Sequence, residues 1–317
     1  MPRILLVKTS SLGDVVHNLP VVTDIASACP GADIDWVVEE PFAPIPALHP
    51  ALGRALRVAV RRWRASAWKT ETRRAVATFV TTLRKERYDA IIDAQGLFKS
   101  AVIARVARGT RFGFDWPSAR EPLSVFYDRT FNVPRRLHAV ERNRRLAAQA
   151  LGYALPARAD YGIAAPRARF DWLDGGDYCV LLHSTSARRK LWPEAQWIEL
   201  GRALALRGVQ CVLPWGNDAE RTRSERIASR LERPVVPPRL ALGDVASLLG
   251  AAKCALGVDT GLTHLACALG VPTVAIYVDT DPSMTGLYGG AHAVNVGGRA
   301  SNPAPDRVLQ ALERVRA

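Results

Sequence analysis

No apolar run in this 317-residue sequence approaches the roughly 20 residues that span a bilayer, which excludes a helical membrane-spanning protein. Cysteine is scarce. The five residues Cys29, Cys179, Cys211, Cys254 and Cys267 are odd in number, lie mostly in apolar segments and form no Cys-x-x-Cys pair. That argues against a disulfide framework and for buried free thiols in a reducing cytoplasm. Both common phosphate signatures, G-x-x-x-x-G-K-[ST] and G-x-G-x-x-G, are missing. No segment is low-complexity, and nothing repeats at short period. Met1-Pro-Arg3 runs at once into Ile4–Val7, an apolar stretch too short for a signal peptide and better suited to a first buried strand. Acidic residues are also short, 30 against 43 Lys and Arg, for a net charge of +13.

What is present is the composition of a soluble globular chain, 48% hydrophobic and 23% charged, and long enough for two domains. The charge is uneven. Residues 1–160 hold 25 Lys/Arg against 15 Asp/Glu, whereas residues 161–317 hold 18 against 15. The first half is therefore the one expected to face something anionic: nucleic acid, a membrane surface or an acidic substrate. No helix-turn-helix, zinc-finger or RNP pattern supports nucleic acid.

Strands alternate with helices in both halves, which predicts parallel sheets. Polar residues gather just after the strands, where such sheets bind ligands. After Arg3–Lys8 comes Thr9-Ser-Ser-Leu-Gly-Asp14, with helical spacing expected over Val15–Ala28 and Asp14 at its start. An Asp there is equally a plain helix cap. Arg54–Arg64 packs five guanidinium groups around Trp63, a pattern suited to bidentate pairing with carboxylate or phosphate. Tyr88–Asp93 ends in Ala94-Gln-Gly96, and Asp115–Pro122 is a loop carrying Arg120. The Ala-, Pro- and Gly-rich stretch 153–177 is the expected interdomain connection.

In the second half, Tyr178–Leu182 leads into His183-Ser-Thr-Ser186 and then Lys190, a set of hydroxyls and one cation that suits a diphosphate. Glu220 lies in the helix that follows Pro214-Trp-Gly216, where a carboxylate could accept sugar hydroxyls. Gly257-Val-Asp-Thr-Gly-Leu-Thr-His264 reads as strand, turn and helix start, a natural anion site or, taken alone, an ordinary capped helix. Asp279-Thr-Asp281 is a carboxylate pair that a metal-dependent transferase could use.

Taken together and in order, Lys8–Asp14, Asp35–Glu40, Asp93–Leu97, Asp115-Trp116 with Ala119–Pro122, Lys190–Glu194, Leu213–Gly216 and Val258–His264 resemble glycosyltransferase family 9, the bacterial lipopolysaccharide heptosyltransferases, in its type I branch. The resemblance implies an α/β protein of GT-B fold: two Rossmann-like domains with parallel sheets facing across a central cleft. Residues 1–160 would bind the acceptor and 161–317 the donor. It implies inverting, metal-independent transfer of heptose from ADP-L-glycero-β-D-manno-heptose to the first Kdo of Kdo2-lipid A, with no cofactor. Asp14 matches the catalytic base. Thr185, Ser186 and Lys190 match diphosphate contacts, Glu220 a ribose contact and Asp259 a heptose contact, with Thr260, Gly261 and His264 against the phosphates. Arg61, Arg62, Arg64 and Arg120 match residues that meet the acceptor's anionic groups. Ser186, in place of a second threonine, and the basic pair Arg188-Arg189 depart from the family pattern. The expected partners are ADP-heptose, Kdo2-lipid A and, peripherally, the anionic cytoplasmic face of the inner membrane. No nucleic acid is expected, and the chain is expected to be a monomer in the cytoplasm. The alternatives are a type II enzyme that adds a later heptose, or a nucleotide-binding module without transfer activity.

Overall fold

A computed structural model of the protein describes residues 1–316. It divides into two compact units, the first Met1–Gly162 and the second starting at Ile163.

The first unit runs β1 (Arg3–Val7), α1 (Leu12–Val16), α2 (Leu19–Ala28), β2 (Asp33–Glu39), β3 (Arg54–Val58), α3 (Val60–Ala65), α4 (Thr70–Lys85), β4 (Arg87–Asp93), α5 (Phe98–Val106), β5 (Arg108–Phe114), β6 (Arg129–Phe131) and α6 (Ala139–Leu151). Its six strands pair in parallel in the order β3-β2-β1-β4-β5-β6. This is the doubly wound order in which the chain leaves β1 toward one edge and later returns to build the other from β4. Alternate residues of the central strands, among them Leu5, Val7, Val37 and Ile91, enter one core with Leu83, Ile103 and Ala104 of the helices.

The second unit runs β7 (Tyr178–Leu182), α7 (Glu194–Ala205), β8 (Gln210–Val212), α8 (Asp218–Ala228), α9 (Leu242–Gly250), β9 (Cys254–Val258), α10 (Gly261–Ala268), β10 (Thr273–Tyr277), α11 (Pro282–Thr285), β11 (Ala293–Gly297) and α12 (Pro305–Arg316). The order is β11-β10-β9-β7-β8, again all parallel, with the reversal between β7 and β9. Trp192 and Trp197, fully buried and edge-to-face at 5.0 Å, anchor its core. Gly257 lets α10 close onto β9: a Cβ there would lie 2.1 Å from Thr263 Oγ1.

Four local expectations need correction. The helix expected over 15–28 begins earlier and breaks into α1 and α2 around His17 and Asn18. Pro20 has no N–H to continue the ladder and its ring would collide with the carbonyl four residues back, so the helix restarts with proline in its first turn. The apolar residues at 234–238, which read as a short strand, make only a single bridge, from Val235 to Val212. Pro234, Pro237 and Pro238 cannot donate to a ladder. Strands β6 and β11 were not anticipated. Both are edge strands of mixed polarity, without the continuous apolar run that marks a buried one. The last correction is Arg54. It does not join an anion-binding cluster, because its guanidinium clasps the fully buried Asp35 at 2.9 and 2.5 Å.

The first unit also carries a buried ion pair. Arg144 of α6 reaches Asp24 of α2 through Nε at 2.7 Å and Nη2 at 3.1 Å, and Nη2 also donates to the carbonyls of Pro156 and Arg158. Both side chains are almost fully buried. Arg144→Leu would strand the Asp24 charge, an expected loss of about 3–5 kcal/mol in urea unfolding. Adding Asp24→Leu should restore much of that loss. A double variant no more stable than the single one would show that the stranded charge is not the cause.

Candidate functional site

In both units the polar residues lie where the strand order reverses. Crossovers diverge there to opposite faces of the sheet, which leaves the carboxyl ends of two neighbouring strands open.

In the first unit those strands are β1 and β4. The loop after β1 begins with Lys8, which is buried, and its Nζ donates to the Ala94 carbonyl beyond β4 at 2.8 Å. Burial pushes the Lys8 amine below its ordinary pKa, Asp14 opposes the shift and Arg120 adds to it. Gln95 ties the two loops together. Its Oε1 accepts from the backbone N–H of Thr9 at 3.0 Å and of Ser10 at 3.1 Å. Asp93 in turn fixes the Gln95 loop, accepting from the N–H of Gln95 and Gly96 and from the hydroxyls of Ser100 and Tyr127. Gly96 sits at φ +64°, a conformation glycine adopts without strain. Asp14 occupies the first turn of α1, where its Oδ2 accepts from Ser11 N–H at 2.9 Å and Ser11 Oγ at 3.0 Å. Asp14, Lys8, Gln95, Arg120, Arg142 and Asn143 line one small polar cavity.

The arginines fall in two places. Arg120 shares the Asp14 cavity. Arg61, Arg62 and Arg64 are exposed on the short helix α3. Arg62 pairs with Glu40 at 3.1 Å, whereas Arg61, Arg64 and Arg120 have no ion-pair partner among the described residues. Lys99 links the two groups. Its Nζ donates to Ser10 Oγ at 2.6 Å, and its amine is lowered chiefly by burial while it feels Glu39, Arg61, Asp14 and Arg64.

In the second unit the open strands are β7 and β9. Asp259, just after β9, is the hub. Its Oδ2 accepts from Lys190 Nζ and from Thr280 Oγ1, each at 2.7 Å, and His264 Nε2 lies 3.7 Å from Oδ1. Thr185, after β7, donates its hydroxyl to the Asp259 carbonyl at 3.1 Å. Burial alone would raise the Asp259 carboxyl, but the close approach of His264 and the hydrogen bonds from Lys190 and Thr280 outweigh it and hold the group well below the usual carboxylate range. Thr260 occupies the N-cap position of α10 and its carbonyl accepts from Thr263 N–H at 3.1 Å, while the N–H groups of Gly261 and Leu262 precede the helical ladder and can receive an anion. Ser186 is exposed beside Thr185.

Trp192 holds the Lys190 loop in place. Its indole N–H donates to the Pro303 carbonyl at 3.0 Å, and its own carbonyl accepts from Arg223 at 2.6 Å. His183, fully buried between the hydroxyls of Ser184 and Ser224, adds no charge, because burial first and Arg223 second push its pKa down to about 3. Glu220 stands apart from the Asp259 group. Its carboxylate caps its own loop, accepting from Gly216 N–H at 2.8 Å and the Asn217 amide at 2.9 Å. The carboxylate pair after β10 is also engaged: Asp279 with Arg189 at 2.6 Å, and Asp281 with Ser283 N–H at 2.9 Å.

Sequence reasoning named Asp14 and Asp259 but missed their supports. Lys8, Gln95, Arg142 and Thr280 were not singled out. A lysine closing an apolar strand was a signal for the first; the others depend on strand order.

The family model described as glycosyltransferase family 9 (heptosyltransferase) matches residues 76–314. The chain is 50% identical over 290 residues to lipopolysaccharide heptosyltransferase 1 of Pseudomonas aeruginosa, covering 90% of this chain and 81% of that protein. The E. coli heptosyltransferase WaaC with ADP superposes with a TM-score of 0.90 at 43% identity, covering 98% of this chain and 99% of that one. WaaC with ADP-2-deoxy-2-fluoro heptose gives 0.87 at 42% identity and the same coverage.

The Asp259 cluster makes a pH-dependent prediction. The folded-state pKa lies below the unfolded value, so the carboxylate stabilises the fold above about pH 4 and that contribution is lost as pH falls through the folded value. Asp259→Asn should therefore unfold at lower temperature than wild type at pH 7, with a gap that narrows from about pH 4 downward. A gap that stays constant down to about pH 3 would mean the charge contributes nothing.

Proposed function

The chain belongs to glycosyltransferase family 9 and is a heptosyltransferase, and on that premise we propose that it moves L-glycero-D-manno-heptose from ADP-heptose to the first Kdo of Kdo2-lipid A, with inversion and without a metal. The observation that carries the reading is the pair of open strand ends: a carboxylate among cations at β1 and β4, and a cationic, hydroxyl-lined helix start at β7 and β9.

An inverting transfer is a single displacement. The acceptor hydroxyl oxygen forms a bond to the anomeric carbon as the bond to the ADP oxygen breaks and ADP leaves with the electron pair. Asp14 takes the hydroxyl proton, a role worth roughly 10²–10⁴-fold in rate. Lys190, His264, the Thr185 hydroxyl and the α10 N–H groups stabilise the charge that develops on the diphosphate. Ser186 adds a hydroxyl, Asp259 receives the heptose hydroxyls, and Glu220 receives the ribose. The nucleotide complexes of WaaC support the donor assignment. Metal independence is supported by the engagement of the nearby carboxylates: Asp259 by Lys190 and Thr280, Asp279 by Arg189 and Asp281 by Ser283 N–H. Arg61, Arg62, Arg64 and Arg120 meet the carboxylates and phosphates of the acceptor. The type I acceptor is supported by 50% identity to a heptosyltransferase named type 1. The excess of cations in residues 1–160 supports peripheral contact with the anionic cytoplasmic face of the inner membrane, and no helix among the described residues is long and apolar enough to cross it.

The test is an assay with ADP-heptose and Kdo2-lipid A read by product mass, with and without EDTA. A product gaining one heptose in both conditions is expected. Transfer only to an already heptosylated acceptor, or only with a divalent cation, would refute the corresponding part. Asp14→Ala should bind ADP-heptose almost as wild type does while kcat falls about 10²–10⁴-fold. Wild-type turnover in that variant would remove Asp14 as the base. Replacing Arg61, Arg62 and Arg64 together with Ala should raise KM for the acceptor and leave KM for the donor near wild type. An unchanged acceptor KM would end their acceptor role.

A further inference from the structure

We propose that the groove between α3, α4 and α5 takes one acyl chain of an anionic phospholipid from the bilayer on which the protein rests. The proposal deepens the membrane contact of the preceding reading and rests on it, but not on the transfer chemistry.

The groove has a volume of about 800 Å³, ample for a single chain, and its walls include Trp63, Phe79, Val80, Val102 and Ile103. Its apolar lining is open to solvent: Val76 is 36% exposed, Val102 39% and Phe98 59%. Contiguous exposure of this kind on a globular surface marks a binding face. Helix α4 is the cause. Across 16 residues it buries only Thr72 and Leu83; Phe79 packs against the core and lines the groove as well, and Val76 and Val80 complete the apolar stripe along the groove.

Charge selects the occupant. Residues 54–85 carry ten Lys and Arg and a single acid, Glu71. Of these, Arg73, Arg74, Arg84 and Lys85 are exposed on α4, while Arg64 lines the groove itself, as does Lys99 of α5. One acid, Glu121, also lines the groove, but Arg64 and Lys99 in it and the exposed cations of α4 outnumber it, and an apolar slot with a net cationic border matches a molecule with an apolar tail and an anionic head. A basic amphipathic helix with aromatic residues at its border is the usual form of contact with an anionic membrane. Trp68, between α3 and α4 and 70% exposed, has the amphipathic ring that settles at headgroup depth.

The groove also adjoins the Asp14 loop. Lys99 lines the groove and donates to Ser10 at 2.6 Å, and the next residue, Ser11, holds Asp14 at 2.9 Å. A lipid chain in the groove would seat that loop at the surface from which a lipid-borne acceptor is presented.

Vesicles of phosphatidylglycerol with brominated acyl chains provide the test, because bromine quenches only tryptophan that the chain approaches. In a Trp68→Phe background, quenching by brominated over unbrominated vesicles is expected, and it should vanish when Trp63→Phe is added. Val76→Asp combined with Val102→Asp should weaken partitioning onto these vesicles by about tenfold or more and abolish the quench. The same double variant should keep wild-type kcat/KM on a deacylated, water-soluble acceptor, which also shows that it folds. Undiminished partitioning of the double variant, or a quench that survives Trp63→Phe, would overturn the proposal in favour of adsorption by charge alone. A quench that needs an acylated acceptor rather than phosphatidylglycerol would overturn it in favour of an acceptor subsite. Wild type that ignores the vesicles would end the membrane contact itself. Wild type that binds them with the expected quench but fails to transfer to the soluble acceptor would end the transfer reading and leave the groove standing.

Discussion

A parallel sheet whose strand order reverses cannot cover the ends of the two strands at the reversal, because the chain leaves one toward each edge. That constraint creates the polar site of each unit, between β1 and β4 in the first and between β7 and β9 in the second. Everything polar then has to be held at those open ends without a helix on top. The molecule does this with cross-ties from one loop to the other. Gln95 and Lys8 join the loops after β1 and β4, and the Thr185 hydroxyl and Lys190 join the loops after β7 and β9. The cross-ties are themselves backed by buried groups, Asp93 in one unit and Trp192 in the other, so the polar residues enter the site on fixed supports.

The distribution of charge follows from the same arrangement. A buried ammonium such as Lys8 is costly unless its donors are satisfied, and the Ala94 carbonyl and the nearby Asp14 supply that compensation. Arg61 and Arg64, exposed on α3 without an ion-pair partner among the described residues, carry no such cost and remain available for an anionic ligand. Arg54 shows the opposite outcome: a cation ten residues from Arg64 in sequence is consumed by the buried Asp35, because β3 pairs with β2 at that register.

The sequence was legible wherever the signal is local. Apolar runs marked β1, β4, β7 and β9, and turn residues after them marked Asp14, Thr185, Lys190 and Asp259 as ligand-facing. What it could not yield depends on neighbours far apart in the chain. Gln95 is unremarkable until β4 is known to lie beside β1, and Thr280 until it is known to donate to Asp259. The edge strands β6 and β11 gain their conformation from one neighbour rather than from an apolar period of their own. The five-arginine segment was read correctly as charged but not as divided, since nothing in the spacing tells that Arg54 clasps a buried carboxylate while Arg61 makes no ion pair among the described residues. The identity of the sugar is a further step removed. Hydroxyl and diphosphate chemistry can be inferred from side chains, whereas the choice among sugars rests on shape, and here it was carried by the likeness to family 9.

The two carboxylates at the two strand-end sites both lie near cations but differ in the groups that bond to them directly. Asp259 is surrounded by Lys190, His264 and Thr280, and the two hydrogen bonds from Lys190 and Thr280 with the nearby imidazole hold it ionised against the effect of burial. A carboxylate so strongly stabilised as an anion is a poor base, and it serves better to fix the cations that meet a diphosphate. Asp14 receives both of its bonds on Oδ2 from one neighbour, Ser11, through a backbone N–H and a hydroxyl. Neither donor is a cation, and Oδ1 accepts no hydrogen bond among the described residues. On the proposed reading the separation of roles follows from these partners: the cation-bound carboxylate organises the leaving group, and the one held by neutral donors accepts the proton. Exchanging the two environments would leave the same residues in the protein but remove the base from the acceptor side and the phosphate clamp from the donor side.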